Sequence, residues 1–492
     1  MSSFRLSKST YCQGVQCPKM LWLDKYKPEE AKEADNEAIL ETGTAVGEIA
    51  KGLFGPYHNI NRNQGVAQML NDTEDAITSG QQIITEASFA EKNNFCSIDI
   101  LKNDQGVFDI YEVKSSTEIK DIYLDDLAYQ YYVLTSLGME IRSANVVYLN
   151  NEYVRYGELD LAELFIIANK TREIVELRSN VELRIKAINE YMAHKEEQPK
   201  DIGLYCSEPY DCLYWQYCSR HLPANNVFEI AEMRKKKKFE LYYEGIYTFE
   251  DLKFCDLNPK YLEQINFEID NLKPKIEKEE IECFLKGLTF PLFFLDFESY
   301  QQAIPLYDGI SPYMQIPFQY SLHYLEKEGG ELKHLEYLAK EGEDPRAALA
   351  KALVRDIPAD ACVLAYNMMF EKGIIKNLAK MYPEIATHLL CIYENIQDLM
   401  IPFRERLFYA KEMKGSYSIK KVLPTLFPND NELNYAKLGL IHNGSEAMNA
   451  FASLHEKKPD EIMAIRKALL TYCKLDTLAM VKIWQKLREL SK

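Results

Sequence analysis

The sequence predicts a protein of several α/β domains. Its 492 residues are enough for about three domains of ordinary size. Hydrophobic residues make up 47% of the chain and charged residues 27%, a balance that excludes a mainly disordered or fibrous protein. Strand-like and helix-like runs alternate from Thr289 onward, and a hairpin pattern in residues 95–114 precedes a helical stretch.

The first half of the chain is predicted as a helical segment, a hairpin and two long helices. Residues 1–60 have a mostly helical pattern. In residues 95–114 two β-rich runs flank the turn-forming group Asn103–Gly106, which predicts a β-hairpin. Helices are expected from about Leu124 to Ser136 and from about Leu161 to His194.

The second half is predicted as a charged helical connector followed by an α/β layer. The expected elements are a strand at 290–299, a strand at 317–325, a helix at Pro345–Leu353, a strand at 362–367 and helices at Glu371–Met381 and Asp460–Leu490. These patterns predict three regions: a domain over 1–222, a connector over 223–285 and a domain over 286–492.

The charge balance argues against a protein that coats nucleic acid through many phosphate contacts, because the formal net charge is −17. It does not exclude an enzyme that holds a phosphodiester through metal ions bound by carboxylates. The N-terminus has no signal-peptide pattern, and the most apolar run, Leu288–Leu295, is too short to span a bilayer. We therefore expect a cytoplasmic protein without a membrane segment. In that reducing compartment a cluster of cysteines indicates metal binding or catalysis.

Two carboxylates and a lysine are expected on one face of the predicted hairpin. Asp99 ends the first strand, and Glu112 and Lys114, two residues apart, share a face of the second. Such carboxylates can hold Mg²⁺ or Mn²⁺, and the lysine can orient or deprotonate a water and offset phosphate charge. Glu48 could supply a further carboxylate, and Gln130 could position substrate or a metal-bound water. The alternative is a solvated strand face.

This set resembles the RecB-like branch of the PD-(D/E)XK nuclease superfamily. Asp99, Glu112–Lys114 and Gln130 match the second, third and last motifs of that branch. The branch often has a histidine in the first helix, where Gly47-Glu48 stand here, and a tyrosine four residues after the glutamine, where Leu134 stands. The resemblance implies a restriction-endonuclease-like α/β core and metal-dependent hydrolysis of phosphodiesters.

A cysteine cluster follows the first domain's core. Cys206, Cys212 and Cys218 occur as C-x5-C-x5-C, and Cys17 or its rival Cys12 could supply a fourth thiolate. Four thiolates suit a [4Fe–4S] cluster or a structural Zn²⁺, and reduced structural cysteines are the remaining alternative. The arrangement resembles the iron–sulfur RecB-type nucleases, which have one cysteine before the nuclease core and three after it. That resemblance favours Cys17 and implies a structural iron–sulfur cluster.

Four acids and a tyrosine accompany the predicted elements of the second domain. Asp296 and Glu298 end an apolar strand and face the same side, where unpaired buried carboxylates are costly. Glu371 follows the next buried strand, and Tyr472 and Asp476 share a helix face. Four carboxylates can hold two divalent ions about 4 Å apart, and a tyrosine can orient the attacking water. Each motif alone could be solvated surface.

The set resembles the DEDD exonucleases of the ribonuclease H-like fold, in their tyrosine form. Asp296 and Glu298 match the first motif, and residues 365–371 match the second, in which the family more often has aspartate where Glu371 stands. Residues 472–476 match the third motif, and Thr471 stands where the histidine form needs histidine. The resemblance implies 3′→5′ exonuclease chemistry.

Basic residues outside these sets are candidate nucleic-acid contacts. Lys420 and Lys421 are expected near the second set of acids, and Arg234 and Lys235 open a basic run in the connector. The segment Lys238–Phe254 weakly resembles a helix–hairpin–helix, in which backbone N–H groups hold phosphate. The alternative is a pair of solvated helices.

The order of these features resembles a bacterial family of predicted RecB-type nucleases classed as a domain of unknown function. The resemblance implies two nuclease modules in one polypeptide. Because both nuclease families that the motifs resemble act on ends, we expect single-stranded DNA or DNA ends as the substrate, in repair, recombination or defence. RNA processing and a nucleic-acid-binding scaffold with one inactive module are the alternatives.

Overall fold

The computed structural model describes residues 5–32, 37–430 and 432–492, without the side chains of 37–40 and 436. The chain forms two compact units, of which the first comprises 1–222 with 302–313 and the second 223–301 with 314–492. Both units mix helices and strands, so the predicted multidomain α/β class is confirmed. Residues 223–285, predicted as a separate connector, belong to the second unit. None of the helices in the described ranges combines the length and apolar character that a bilayer-spanning segment needs.

The first unit is built around one mixed sheet with helices packed against it. Its strands are β1 (Leu6–Ser7), β2 (His58–Asn59), β3 (Ile83–Glu91), β4 (Asn94–Asp104), β5 (Val107–Lys114), β6 (Glu140–Leu149) and β7 (Phe165–Asn169). Its α-helices are α1 (Lys8–Gln16), α2 (Pro18–Tyr26), α3 (Glu37–Ala50), α4 (Val66–Thr78), α5 (Asp121–Ser136), α6 (Leu161–Leu164), α7 (Thr171–Ala193) and α8 (Trp215–Cys218).

The sheet of the first unit runs in the order β2-β3-β4-β5-β6-β7, with β1 also paired to β4. The predicted hairpin is β4–β5, with Ile100 opposite Tyr111 and a turn at Gly106, whose φ of 92° suits glycine. β5 and β6 are parallel, and α5 makes the connection between them. The hairpin and α5 therefore position the predicted residues from Asp99 to Gln130.

The helix predicted from Leu161 to His194 is wrong in its first part. The one-turn helix α6 is followed by β7, which pairs antiparallel with β6 before α7 begins. The run Phe165-Ile166-Ile167 consists of aromatic and β-branched residues, which favour a strand where a partner strand is present. β3 and β6 are further strands that the sequence pattern does not predict.

The second unit has a five-stranded sheet and a two-stranded sheet, with helices packed around them. Its strands are β8 (Lys275–Ile276), β9 (Leu292–Tyr300), β10 (Ile316–Leu325), β11 (Lys333–Leu338), β12 (Cys362–Ala365), β13 (Ile396–Asp398) and β14 (Phe408–Tyr409). Its α-helices are α9 (Lys235–Tyr243), α10 (Phe249–Leu252), α11 (Pro259–Ile269), α12 (Lys278–Lys286), α13 (Arg346–Asp356), α14 (Met369–Met381), α15 (Ala386–Glu394), α16 (Ile401–Arg404), α17 (Ile419–Leu426), α18 (Gly444–Ala452) and α19 (Pro459–Leu490).

The main sheet of the second unit has the order β11-β10-β9-β12-β13. β9, β12 and β13 are parallel, whereas β10 and β11 run antiparallel to their neighbours. On β9, Leu292 and Phe294 pack in the core that contains α19, and Phe293 packs on the opposite face with α13, α14 and α15. Because side chains alternate along a strand, Asp296 and Glu298 lie on the α19 side.

The predicted helix–hairpin–helix segment contains one full helix and one short one. α9 ends before Gly245, whose φ is 79°, and the following α10 has 4 residues. Thr248 caps α10 by accepting a hydrogen bond from the Asp251 N–H at 3.1 Å. A helix of one turn offers few aligned N–H groups, so this segment gives little support to a phosphate-binding hairpin.

Candidate functional site

The acids of the second unit converge where β9 meets α19. Ligand atoms of Asp296, Glu298 and Cys473 lie within 4.8 Å of one another. The Cys473 thiol donates to Asp296 Oδ2 at 3.6 Å. Asp476 follows one turn later on α19, and Glu371 lies in the first turn of α14, directly after β12. We call Asp296, Glu298, Glu371 and Asp476 the carboxylate cluster.

The four carboxylates affect one another's ionisation. Burial raises the pKa of Asp296 well above its ordinary value, and Asp476, Glu298 and Glu371 add to the rise. Burial likewise raises the pKa of Glu298, to which Asp476 and Glu371 contribute. It raises the pKa of Glu371 to about 8 and that of Asp476 to about 7. Glu371 Oε2 is also buried without a hydrogen-bond partner. Concentrated, incompletely bonded negative charge of this kind fits a divalent cation.

Two tyrosines contact the carboxylate cluster, of which only one is predicted. Tyr472 is buried on α19, and hydrogen bonding from Tyr435 and Tyr472 opposes the effect of burial on the pKa of Asp476. The Tyr435 hydroxyl donates to Asp476 Oδ1 at 2.5 Å, and the two tyrosine rings are 6.1 Å apart. Tyr435 belongs to a turn with no motif of its own, so the sequence gives no signal for it.

A buried polar network holds α19 against β10 behind the cluster. Ser321, which is opposite Asp296 in the sheet, shares a hydrogen bond of 2.7 Å with Thr477. His323 Nδ1 lies 2.8 Å from the same Thr477 hydroxyl. Burial lowers the pKa of His323 to about 3, so this imidazole is neutral at physiological pH. The network fixes Thr477, and with it the adjacent Asp476, relative to Asp296.

The other polar residues near the cluster have different roles. Asp398 accepts hydrogen bonds from the N–H groups of Asn367 and Met400, at 3.1 and 3.0 Å, and pairs with Arg404 at 3.2 Å. It is therefore a structural acid. The charge of Lys420 opposes the rise in the pKa of Glu298 and Asp476, which places this exposed lysine near the cluster. Lys421 on α17, and Arg234 and Lys235 where α9 begins, are exposed and remain predicted nucleic-acid contacts.

Without metal, we expect the stability of the protein to fall as the pH rises from about 5 to 8. An acid whose pKa is raised by folding holds its proton in the folded state, so ionisation above its ordinary pKa favours unfolding. For Glu371 this loss continues until the pH passes about 8. Urea unfolding in EDTA should show a pH dependence that is smaller in Glu371→Gln by about 2–4 kcal/mol. The exposed Glu384→Gln is the control, and an equal change there would contradict the assignment.

In the first unit, the structure brings together the predicted residues of the hairpin. Lys114 Nζ donates to Glu112 Oε1 at 2.7 Å and to Asp126 Oδ2 at 2.6 Å. Gln130 Nε2 donates to Glu112 Oε2 at 2.6 Å and to Asp126 Oδ1 at 3.0 Å. Asp99 Oδ2 accepts from the Val113 N–H at 2.8 Å. We call Asp99, Glu112, Lys114 and Gln130 the hairpin site. Asp126 completes it, one helical turn before Gln130 on α5.

A second lysine, which the sequence does not single out, lies between the two acids of the hairpin site. Lys8 Nζ donates to both Glu112 oxygens at 2.9 and 3.0 Å and to Asp99 Oδ1 at 3.4 Å. Burial opposes its charge, but Asp99 and Glu112 hold the pKa of Lys8 well above its ordinary value. The acids are thus spaced to share one cation, which fits a divalent metal only if the metal displaces this ammonium group.

The structure does not place Glu48 with the hairpin acids. Its side chain is 60% exposed and pairs with Lys51 at 2.6 Å. Lys51 also lies 3.6 Å from a buried acid, Glu86. Arg62 forms ion pairs with both Glu86 and Asp99, which connects Glu86 to the hairpin site. Burial raises the pKa of Glu86, and Asp99 adds to the rise against the charge of Arg62. Glu86 therefore replaces Glu48 as the third carboxylate next to the hairpin site.

The four predicted cysteine ligands line one small pocket in the first unit: Cys17, Cys206, Cys212 and Cys218. We call this the cysteine pocket. Burial raises the pKa of the Cys17 thiol, and the N–H groups of Lys19 and Met20 at the start of α2 oppose that rise. Such donors stabilise a thiolate. The rival Cys12 instead lies near Asp126 and Lys114.

The four thiols are more widely spaced than a single zinc ion requires. No three of their sulfur atoms fall within 4.8 Å of one another in the described part of the chain. Zn–S bonds of about 2.3 Å in a tetrahedron would bring the sulfurs to about 3.8 Å. The side chains of Lys19 and Lys200 line the same pocket and could offset the charge of an anionic cluster. The spacing of the sulfur atoms therefore differs from that of four thiolates on one zinc ion.

Comparison with known proteins finds partial matches to a family model and to a relative. Residues 293–418 match a family model described as a domain of unknown function, DUF2779, and the match includes Asp296, Glu298 and Glu371 but ends before Tyr472. An uncharacterized protein of Ureaplasma parvum, UU173, is 26% identical over 291 residues, which cover 54% of this chain and 41% of the relative. The match thus spans less than half of that relative's length. No solved structure matches the chain.

Proposed function

We propose that the chain is a metal-dependent nuclease that hydrolyses phosphodiester bonds at the carboxylate cluster. The observation that carries this proposal is the convergence of four acids, in which the neighbouring carboxylates raise the pKa of Asp296 and Glu298 and Glu371 Oε2 is buried without a hydrogen-bond partner. Such a site costs free energy in the metal-free protein, and divalent cations would remove that cost. The mixed five-stranded sheet is compatible with the ribonuclease H-like fold that the motifs imply.

The residues of the cluster divide into ligands and positioning groups. Asp296, Glu298, Glu371 and Asp476 would hold Mg²⁺ or Mn²⁺, which when bound polarises the phosphate and activates a water. Burial keeps the pKa of Tyr472 far above its ordinary value, so its hydroxyl can donate or accept a hydrogen bond with the attacking water.

The surrounding groups support these ligands and contact the substrate. Tyr435 orients Asp476 through its 2.5 Å hydrogen bond. Lys420 would contact the negatively charged substrate, because its charge already acts on the cluster.

Single-stranded or frayed DNA ends are the proposed substrate. The two families that the motifs resemble both act on ends, and the setting is repair, recombination or defence. RNA trimming by the same chemistry is the alternative.

The hairpin site would be a second nuclease centre. Asp126 and Glu112 hold the pKa of Lys114 well above its ordinary value, although burial acts in the opposite direction. Lys114 would therefore act as a fixed cation that offsets phosphate charge, not as a base. The position of Lys8 favours a second candidate function for the first unit, because its ammonium group already neutralises Asp99 and Glu112. If Lys8 stays in place, the first unit binds nucleic acid as a scaffold and the second unit alone cleaves it.

The cysteine pocket would hold a [4Fe–4S] cluster, with Cys17, Cys206, Cys212 and Cys218 as ligands. The wide spacing of the sulfur atoms supports this over Zn²⁺. Such a cluster would join the N-terminal helices to the segment after α7 and stabilise the first unit. Metal analysis of protein purified without oxygen tests the proposal. Iron with acid-labile sulfide supports it, and zinc alone contradicts it.

The proposed function predicts cleavage that depends on divalent metal. End-labelled DNA and RNA oligonucleotides are incubated together with the protein in Mg²⁺, Mn²⁺ or EDTA. We expect shortening of single-stranded DNA from its 3′ end in either metal and none in EDTA. Faster loss of RNA would favour the RNA-processing alternative. Absence of cleavage in both metals, or equal cleavage in EDTA, contradicts the proposal.

A further inference from the structure

The loop between two residues of the cysteine pocket presents a tyrosine to solvent on a fixed backbone. Tyr210 lies between Cys206 and Cys212, and the Cys212 N–H donates to the Cys206 carbonyl at 2.9 Å. The Gln16 side chain donates to the carbonyl oxygens of Tyr205 and Tyr210, at 2.8 and 2.7 Å. The Tyr210 side chain is nevertheless 53% exposed. An exposed aromatic ring on an anchored loop suits a contact with a partner, because it is not needed to fill a core.

Tyr210 lies beside the groups of the hairpin site. Partial burial raises the pKa of its hydroxyl, Tyr123 adds to this rise, and the charge of Lys114 opposes it. Lys114 Nζ is 5.1 Å from the centre of the Tyr123 ring. The Tyr313 hydroxyl donates a hydrogen bond to the carbonyl oxygen of Ser115, the residue that follows Lys114. Tyr123 and Tyr313 thus contact this end of β5, Tyr210 lies within electrostatic range of it, and Tyr210 is the most exposed of the three.

We propose that Tyr210 stacks on an unpaired base of a single-stranded nucleic acid whose adjacent phosphate is bound at Lys114. The inference rests on the proposed function and names the substrate class of the hairpin site. Every base has a π-face, so a ring beside a phosphate-binding cation can hold any single strand without reading its sequence. In a duplex the bases stack on one another and are not available to such a ring. Tyr210 therefore selects single strands over duplexes.

The same geometry gives the cysteine pocket a role in substrate binding. Cys206 and Cys212 are the two ends of the Tyr210 loop, and a group bound to both thiolates would add to the hydrogen bonds that already hold this loop. Fixing a contact residue in its binding position reduces the entropy that is lost when the substrate binds. Loss of the bound group should therefore weaken single-strand binding even where the rest of the unit stays folded.

The test uses the full chain carrying Asp296→Asn, so that cleavage reports on the hairpin site alone. Tyr210→Ala removes the ring, Tyr210→Leu removes it but keeps apolar bulk, and Tyr210→Phe keeps the ring without the hydroxyl. Anisotropy in EDTA measures binding of single-stranded and blunt duplex DNA, and a gel assay in Mg²⁺ measures cleavage. Iron content and thermal unfolding are recorded for each variant. Tyr156→Ala, at a tyrosine that is 76% exposed in the same unit, is the matched control.

We expect Tyr210→Ala and Tyr210→Leu to weaken single-strand binding roughly tenfold. Duplex binding, iron content and unfolding temperature should stay unchanged, and Tyr210→Phe and Tyr156→Ala should bind like the parent. Unchanged single-strand binding in Tyr210→Ala, an equal loss on duplex, or an equal loss in Tyr210→Phe would each overturn the stacking role. If the parent chain and the wild type neither bind nor cleave single strands, the proposed function fails together with this inference.

Discussion

Asp296→Asn is expected to lower metal-dependent cleavage by the second unit about a thousandfold, which corresponds to about 4 kcal/mol of transition-state stabilisation. Asparagine keeps the size of the side chain but lacks the charge that a divalent cation needs from this ligand. This loss of cleavage should exceed the effect of a purely structural change, because Asp296 interacts with every other acid of the cluster. Burial and all three of those acids raise its pKa. Release of nucleotides from a 3′-labelled single strand measures the effect.

Stability separates a metal ligand from a structural acid. In EDTA, Asp296→Asn should unfold at the same temperature as the wild type or higher, because the substitution relieves repulsion within the cluster. The matched control is Asp356→Asn, at a buried acid of the same unit that accepts a hydrogen bond from Tyr320 at 2.6 Å and pairs with Arg355. This variant should lose stability and keep cleavage. Full cleavage by Asp296→Asn would remove the carboxylate cluster from the proposed mechanism.

The carboxylate cluster could be predicted in large part because its residues follow short periods. Asp296 and Glu298 are two apart on a strand, and Tyr472 and Asp476 are four apart on a helix, so each pair shares a face whatever the rest of the fold does. Tyr435 contacts Asp476 across 41 residues of sequence, from a turn that has no periodicity. Contacts of that kind depend on how the whole unit folds, and a single sequence carries no signal for them.

The hairpin site shows the same division. The turn at Asn103–Gly106 fixes the pairing of its two strands, so the local sequence is enough to predict that Asp99, Glu112 and Lys114 lie close together. Lys8 reaches Glu112 from 104 residues away, where β1 pairs with the start of β4.

Two other features of the first unit also depended on long-range packing. Glu86 lies in β3, a strand without the alternation that sequence patterns detect, because its residues are buried on both faces. The segment Gln302–Tyr313 belongs to the first unit although it follows β9 of the second, and no composition change marks it.

Replacing Lys8 by methionine is expected to raise the affinity of the hairpin site for Mn²⁺ about tenfold, or about 1.4 kcal/mol. The Lys8 ammonium group bonds to both Glu112 oxygens and to Asp99, the two acids that would hold a metal ion at this site. A bound cation must displace it, and methionine has a similar length without the charge. Calorimetric titration of Mn²⁺ into the chain carrying Asp296→Asn, with and without Lys8→Met, measures the difference.

Lys114→Met distinguishes the role of Lys114 from that of Lys8. Lys114 pairs with Asp126 and Glu112 and does not lie between Glu112 and Asp99, as Lys8 does. Lys114→Met should lower cleavage by this site about a hundredfold and leave Mn²⁺ affinity nearly unchanged. Lys170→Met is the control for loss of a lysine, since the Lys170 side chain is 27% exposed against 24% for Lys8 and also pairs with a glutamate at 2.9 Å. If Lys8→Met instead leaves Mn²⁺ affinity unchanged and weakens DNA binding, Lys8 is the permanent cation of the site. The first unit is then a nucleic-acid scaffold, and cleavage belongs to the carboxylate cluster alone.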